Sequence, residues 1–477
     1  MNAVKKIPPG KLVCGVGGVI VCLLFSFVLK APASLEAAAV SAGSTGNLAM
    51  RILGITLLAV LWWIGNVGTD WMTTLVMLLL WVLLADVPFT TAFSAFGSTS
   101  TWLIVGAFCL SEAVSKTGLF TRISWFLLRI FPPTFTGQVV AMLLVGAVCT
   151  PLIPSMTAKA ILGVTVASGV ATAMGYPNNS AGRYALFMAA WFGFGVTAPA
   201  FVNGSIFGYT VLGALPEGAG VTYGEWFIAM IPWLAVVLVG GFILIKLMYR
   251  PEQTGALTKE YAIEHYKSLG KLEGKELQSA FILAGAVILW VLESALGIPA
   301  AATALIAALL CFALGILDKK ELATAPKWSI VVFLGGVLSL GAIFSRVGIN
   351  VWLQALITPL FERMNNTFLA AFVIMVMVVL LRLIMASFSA TIIIMMTVLI
   401  PVAPAIGLSP FIIGILVYTV ENCWFVRYQN TTFATCYECV KDTLDYGGTV
   451  KACLGYVILC IIGCLISIPY WSALHYI

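Results

Sequence analysis

The sequence predicts an all-α membrane protein: about eleven transmembrane helices plus two re-entrant helical hairpins, in two inverted-topology repeats. Three observations lead there. Of 477 residues, 61% are hydrophobic and 9% charged, where a soluble domain carries about 25% charged residues. Apolar runs of membrane-spanning length recur along the whole chain. A group of motifs in the first half also returns, in the same order, in the second.

The composition excludes a water-soluble enzyme, a disordered chain and a collagen-like one, and makes the lipid bilayer the main partner. The balance of 25 Lys+Arg against 19 Asp+Glu, net +6, is modest. No clustered basic face accompanies it, so nucleic acid is not an expected partner. Most of the eleven cysteines sit inside apolar runs and read as small apolar residues. Cys436 and Cys439 form a lone C-x-x-C without a second pair at zinc spacing. With two histidines, His265 and His475, no metal or other resident cofactor is expected.

The chain opens with Lys5, Lys6 and Lys11 and an apolar run to Val28, followed by Ala31-Pro32-Ala33. That run exceeds the ~7–15 residues of a signal peptide core, so it reads as a retained first span. Further spans fall near 50–66, 71–86, 100–117, 184–214, 225–248, 277–295, 299–317, 328–346, 408–426 and 452–472. The stretches 136–174 and 367–402 are apolar but carry polar residues in the middle, the pattern of a hairpin. Basic residues cluster in three loops: Lys116, Arg122 and Arg129; Arg250, Lys259, Lys267, Lys271 and Lys275; and Lys319, Lys320 and Lys327. Placing these loops in the cytoplasm, with the N-terminus, satisfies the positive-inside rule. The segments 31–49 and 215–224, with Glu36 and Glu217, and the C-terminus then fall outside.

The repeat supplies the domain plan. Ser115-Lys116-Thr117-Gly118-Leu119 closes one span and Ser345-Arg346-Val347-Gly348-Ile349 closes another. Each follows a span that starts at a tryptophan, Trp102 or Trp328, and each precedes an amphipathic stretch, 120–131 or 350–363. The hairpins come next, 155 in one matching 387 in the other. The expected organisation is therefore 1–49, a first span and outer segment; 50–248, the first repeat with its hairpin near 136–174; 249–276, a cytoplasmic loop; and 277–477, the second repeat with its hairpin near 367–402. Inverted repeats with interrupted segments at matching places are the usual signature of a secondary transporter.

The interruptions carry the chemistry. Pro154-Ser155-Met156-Thr157-Ala158 and Ala386-Ser387-Phe388-Ser389-Ala390-Thr391 break their hairpins at the tip. Non-helical backbone at membrane depth survives only where it lines a cavity. Each tip heads a helix whose N-terminus is a ready anion site, and two tips converging from opposite sides clamp a small carboxylate between them. A second pair of interruptions follows: Gly193-Phe194-Gly195-Val196-Thr197-Ala198-Pro199 with Asn203, and Gln429-Asn430-Thr431-Thr432. These unwind a span and offer carbonyls to cations or N–H groups to anions. Among charges inside spans (Glu112, Lys159, Arg382, Glu421 and Arg427), Lys159 lies one turn beyond Ser155, where an ammonium offsets substrate charge.

These motifs resemble the divalent anion:sodium symporter family, the INDY-type di- and tricarboxylate transporters, whose hairpin tips each carry Ser-Asn-Thr followed by Ala. Pro154-Ser155-Met156-Thr157-Ala158-Lys159 looks like the first tip and Ser387-Phe388-Ser389-Ala390-Thr391 like the second. Phe93 through Phe108 and Lys327 through Leu338 also look like that family. The chain departs from it at Met156 and Phe388, where the family has Asn, and at Ser389, where it has Thr. The replacements of Asn at Met156 and Phe388 remove amide oxygens that suit a hard cation.

The resemblance implies an elevator-type secondary transporter, working as a homodimer, for succinate, malate, citrate or a similar small organic anion. Coupling is by exchange or by Na+ or H+. Its substrate residues are expected at Ser155, Met156, Thr157, Lys159, Thr197, Pro199, Asn203, Ser387, Phe388, Ser389, Thr391, Asn430 and Thr431. A coupling ion is expected near Ser155, Gly195, Ser387 and Gln429. The expected location is the cell membrane, a bacterial inner membrane, with the N-terminus in the cytoplasm. Two other readings stand beside this one. An exporter or channel for inorganic oxyanions or metalloids fits the same plan, and a membrane-embedded enzyme would rest on a Ser155–Lys159 pair.

Overall fold

Apolar runs in lipid must satisfy every backbone group internally, as a helix or a closed barrel does, and long unalternating runs favour the helix. The computed structural model is helical throughout, with no strand among the described residues, which are 9–153, 155–216, 218–251, 257, 259–362 and 366–477. Lys5, Lys6, Pro154 and Glu217 lie outside them. Many of the side chains pointing away from the protein are large and apolar, Leu83, Leu247, Phe281 and Leu309 among them. Exposed hydrophobic surface on that scale belongs in a bilayer.

All eleven expected spans are helical, although breaks shorten several. Nine helices among the described residues are long and apolar enough to cross a membrane, ten if the bent pair Thr99–Lys116 and Leu119–Leu128 forms one span. Asp70–Leu84, Ala300–Ala313, Thr367–Arg382 and Pro410–Val420 are apolar but shorter. The run read as 408–426 stops at Val420 because Glu421 to Val426 are not helical. The run read as 184–214 divides into Ala181–Trp191, a π turn Phe192–Val196, two short turns, and Ile206–Ala214.

The repeat is wider than its motifs. Among the described residues, helices starting at 46, 70, 99, 119, 135, 156, 181, 206 and 223 are followed by counterparts starting at 274, 300, 328, 349, 367, 388, 410, 431 and 447. Every counterpart comes 224 to 232 residues later. Matching turns use matching residues: Gly118 and Gly348 both take a left-handed φ, 77° and 72°. Glycine adopts that conformation without steric cost, and it lets each chain leave a span and enter the next helix directly.

By internal contacts the chain forms two compact units, each drawing on both halves of the sequence. One comprises Met1–Trp102, Gly213–Gly220 and Lys327–Val417, and holds the second tip. In it, Arg51 on Gly46–Ile64 donates to Leu84 O at 3.2 Å, tying that helix to the end of Asp70–Leu84.

The other unit comprises Leu103–Leu212, Val221–Pro326 and Tyr418–Ile477, and holds the first tip. Its spine is a pair of repeat-related helices, Tyr223–Met248 and Gly447–Ala473. Leu459 packs over Gly240, Leu244 packs over Gly455, and Trp471 Nε1 donates to Ala229 O at 2.7 Å. The three basic loops meet within this unit. Lys116 pairs with Glu321 at 2.8 Å, and Arg122 pairs with Glu276 at 2.6 Å. Arg122 also donates to the carbonyls of Leu269 and Gly270 at 2.9 and 2.8 Å.

Arg122 and Glu276 are 8% and 15% exposed in their side chains, so water cannot replace what a mutation removes. Arg122→Ala is expected to destabilise the protein by about 3 kcal/mol, since it leaves a largely buried carboxylate and two carbonyls without donors. A drop in the melting temperature of the purified protein checks this; an unchanged melt refutes it.

Candidate functional site

The first tip forms where Phe135–Cys149 can no longer stay helical. Thr150–Leu152 tightens into a short turn around Pro151, Ile153 is extended, and Ser155 restarts the chain as the N-cap of Met156–Ala173. Ser155 Oγ accepts from Ala158 N at 3.4 Å, an N-cap bond that satisfies a backbone donor left over at a helix start.

Donors from the same unit fasten carbonyls of this break and of the broken span 192–205. Lys159, with no exposed surface, donates from Nζ to Gly204 O at 2.5 Å and to Thr150 O at 3.4 Å. Asn203 Nδ2 donates to Pro151 O at 2.5 Å. Thr150 and Thr197 share a hydroxyl hydrogen bond of 3.2 Å, and Thr197 Oγ1 donates to Gly193 O at 2.5 Å. The tip is thereby tied to the broken span 192–205.

The other broken segment of this unit joins the same network. Asn422 Nδ2 donates to Gly195 O at 3.4 Å, and Asn430 Nδ2 donates to Asn422 Oδ1 at 2.6 Å. Asn430 Oδ1 accepts from Phe433 N at 2.8 Å and so caps Thr431–Glu438. Thr157 and Thr432 share a hydrogen bond of 3.0 Å. Trp424 lies beneath, 5.0 Å from the Phe433 ring and 5.8 Å from that of Trp191. This is a stiff platform under irregular backbone.

The second tip, in the other unit, repeats the design with different residues. Thr367–Arg382 ends, residues 383–387 are non-helical, and Ser387 caps Phe388–Leu399 with Oγ accepting from Ala390 N at 3.4 Å. Thr391 Oγ1 donates to Ser387 O at 2.9 Å. A buried cation again braces the break. Arg382 Nη1 donates to Met385 O at 2.7 Å, and its guanidinium lies 4.1 Å from the centre of the Phe388 ring. Ser387 Oγ also donates to Asp70 Oδ2 at 3.1 Å.

The expected site residues thus divide between the units. Ser155, Met156, Thr157, Lys159, Gly195, Thr197, Pro199, Asn203, Gln429, Asn430 and Thr431 belong to one; Ser387, Phe388, Ser389 and Thr391 belong to the other. Within the first group the structure joins Lys159, Thr197 and Asn203 to the tip, Gly195 to Asn430 through Asn422, and Thr157 to Thr432. Pro199 O accepts from Trp226 Nε1 at 2.9 Å, Gln429 Oε1 accepts from Val426 N at 3.4 Å, and Thr431 is exposed. Met156 and Phe388 are each 5% exposed and fill the space behind their caps. Sequence reasoning missed Asn422 and Asp70. The readable signal for Asp70 was an acid heading an otherwise uncharged fifteen-residue apolar helix.

The family described as the sodium:sulfate symporter transmembrane region matches residues 21–477. Dicarboxylate transporter 1, a chloroplast protein of Spinacia oleracea, is 24% identical over 72% of this chain and 62% of its own length. Inner membrane protein YbhI of Escherichia coli is 26% identical over 70% of this chain and 72% of its own. The chain thus spans between three fifths and three quarters of these two relatives. Among solved structures, the Alcanivorax borkumensis YdaH transporter superposes with a TM-score of 0.57 at 15% identity, covering 81% of this chain and 88% of that one. That likeness concerns the fold.

Proposed function

The chain belongs to the sodium:sulfate symporter transmembrane family, a family of transporters rather than enzymes, and we propose that it is a secondary active transporter of a small organic anion. The substrate class is a di- or tricarboxylate such as malate, succinate or citrate, and each unit offers it a hydroxyl-headed helix N-terminus, at Ser155 in one and at Ser387 in the other. One observation carries this reading: each tip pairs a Ser-capped helix start with a buried cation bonded to a carbonyl of its own break, Lys159 in one and Arg382 in the other. Helix N-termini and buried positive charge both favour an anion. Among the described residues Lys159 donates to carbonyls, Thr150 O and Gly204 O. Relatives named as dicarboxylate transporters support the same substrate class.

We further assign an elevator movement, a homodimer, and coupling by exchange or by Na+ or H+, with the N-terminus and the three basic loops in the cytoplasm of a bacterial cell. The meeting of those loops within one unit supports a common side.

The test is a thermal-shift panel on the purified protein with malate, succinate, citrate and sulfate, each with and without sodium. A ligand present at a hundred times its Kd adds about 2.7 kcal/mol of stability, so a binder gives a clear upward shift. Stabilisation by at least one carboxylate is the expected result. Stabilisation by sulfate alone establishes the inorganic-oxyanion reading, which the family description keeps open, and no response to any anion removes both. Ser155→Ala is expected to lower basal stability by about 1 kcal/mol through the lost cap and to weaken the carboxylate shift as well; a variant with an unaltered ligand shift contradicts the role given to Ser155.

A further inference from the structure

At the second tip the capping hydroxyl is already in use. A serine hydroxyl has one proton to donate, and that of Ser387 goes to Asp70 Oδ2 at 3.1 Å, while its oxygen accepts from Ala390 N at 3.4 Å. A carboxylate of the protein therefore stands where the proposed substrate's carboxylate would sit, at the head of the twelve-residue helix Phe388–Leu399. At the first tip Ser155 caps its helix, and Lys159 Nζ donates to Thr150 O of the same break.

We propose that Asp70 is a proton-linked competitor of the transported anion, occupying the Ser387 hydroxyl when ionised and releasing it on protonation. This rests on the organic-anion reading of the same tip. One proton from solution bonds to an Asp70 carboxylate oxygen and cancels its charge. The Ser387 O–H then turns to a substrate oxygen, which no longer faces like-charge repulsion. Each anion bound at this tip thus takes up one proton, which makes H+ the coupling ion here.

The surroundings favour such a switch. Asp70 is held in place through its backbone: its carbonyl accepts from Thr74 Oγ1 at 2.9 Å and from Trp63 Nε1 at 3.4 Å. Besides the Ser387 tip, the elements packed most extensively on Asp70–Leu84 are Gly46–Ile64, Phe89–Ala92 and Trp328–Val337. The first carries Arg51, which is bonded to Leu84 O at the opposite end of Asp70–Leu84, and neither of the others contains a charged residue. Asp86 lies past that same far end and Lys327 precedes Trp328. On the tip itself the charged group is Arg382, bonded to Met385 O and stacked on Phe388.

The experiment compares malate binding by the parent and by Asp70→Asn, full-length and purified, from pH 5.5 to 8. Asparagine keeps an oxygen for Ser387 to donate to and removes the charge. In the parent, malate affinity is expected to rise as pH falls, by up to about tenfold per pH unit for one linked proton. Asp70→Asn should lack this term and bind at pH 8 as tightly as the parent does at low pH. The titration of malate itself is common to both proteins and cancels in the ratio. A ratio constant across the range overturns the proposal, including the case where Asp70 only stabilises the start of its own helix. Should Asp70→Asn not fold, proton uptake by the parent decides: about one proton per malate bound in weakly buffered solution at pH 7.5 supports the switch, and none refutes it. If malate, succinate and citrate all fail to bind the parent, the transport reading falls and takes this one with it. Binding with identical pH profiles removes this one alone.

Discussion

Alanine at Gly146 or at Gly193 is expected to leave little folded protein. The two glycines face each other where Phe135–Cys149 crosses the π turn Phe192–Val196. A Cβ on Gly146 would overlap the backbone of Gly193 and Phe194, and one on Gly193 would overlap the carbonyls of Met142 and Leu143. Side chains can rotate away from an intruding methyl, but backbone cannot. Overpacking costs about 1–3 kcal/mol where side chains yield, and here the figure should reach the top of that range or beyond. The approach also has a purpose, because it brings Thr150 within 3.2 Å of Thr197 and so holds the first tip to the broken span. Size-exclusion chromatography of the detergent-solubilised variants should show aggregate or a severely lowered melt. Gly285→Ala is the control: its Cβ meets nothing within 4 Å on a regular helix, where alanine is favoured by up to about 1 kcal/mol. A sharp, parent-like peak for Gly146→Ala would contradict the packing.

Lys159→Met should give the second largest effect, on both stability and transport. Methionine keeps the apolar volume and removes the ammonium. Gly204 O and Thr150 O then lose a donor in a place without water, at about 1–3 kcal/mol each. Part of that is offset because a buried charge is no longer desolvated, so a net loss of about 2–4 kcal/mol is expected. Transport should fall further than stability, since Thr150 and Gly204 bracket the tip that presents Ser155. A variant that melts early yet carries malate at the parent rate would mean that the brace is structural and the tip tolerates its loss.

Much of this fold was legible because lipid enforces simple rules. The spans, the two interrupted hairpins and the repeat could be read from hydropathy and from motifs such as Ser115 to Leu119 and Ser345 to Ile349. Ser155 and Ser387 could be read as lying at interruptions that head a helix, and the structure makes each of them the N-cap. Partners distant in sequence could not be read. Lys159 is expected beside the substrate from its spacing, one turn past Ser155, and that spacing does not announce its bond to Gly204 O, 45 residues downstream. Asn203 and Asn430 are expected as substrate ligands, and their bonds to Pro151 O and Asn422 Oδ1 are equally unannounced. Asp70 meets Ser387 across 317 residues, and no local pattern announces that meeting. Helix lengths were misjudged where polar backbone cut a span short, as at Glu421.

Ser155 in one unit and Ser387 in the other are each expected to donate to a small organic anion. Uptake and binding of labelled malate in proteoliposomes, measured for the parent, Ser155→Ala, Ser387→Ala and the double variant, decide this. A hydrogen bond to a charged group is worth about 1.5–3 kcal/mol, so each single change should weaken malate by roughly ten- to a hundredfold, and the double variant should neither bind nor carry it. Four proteins with the same malate affinity and the same uptake would contradict the account.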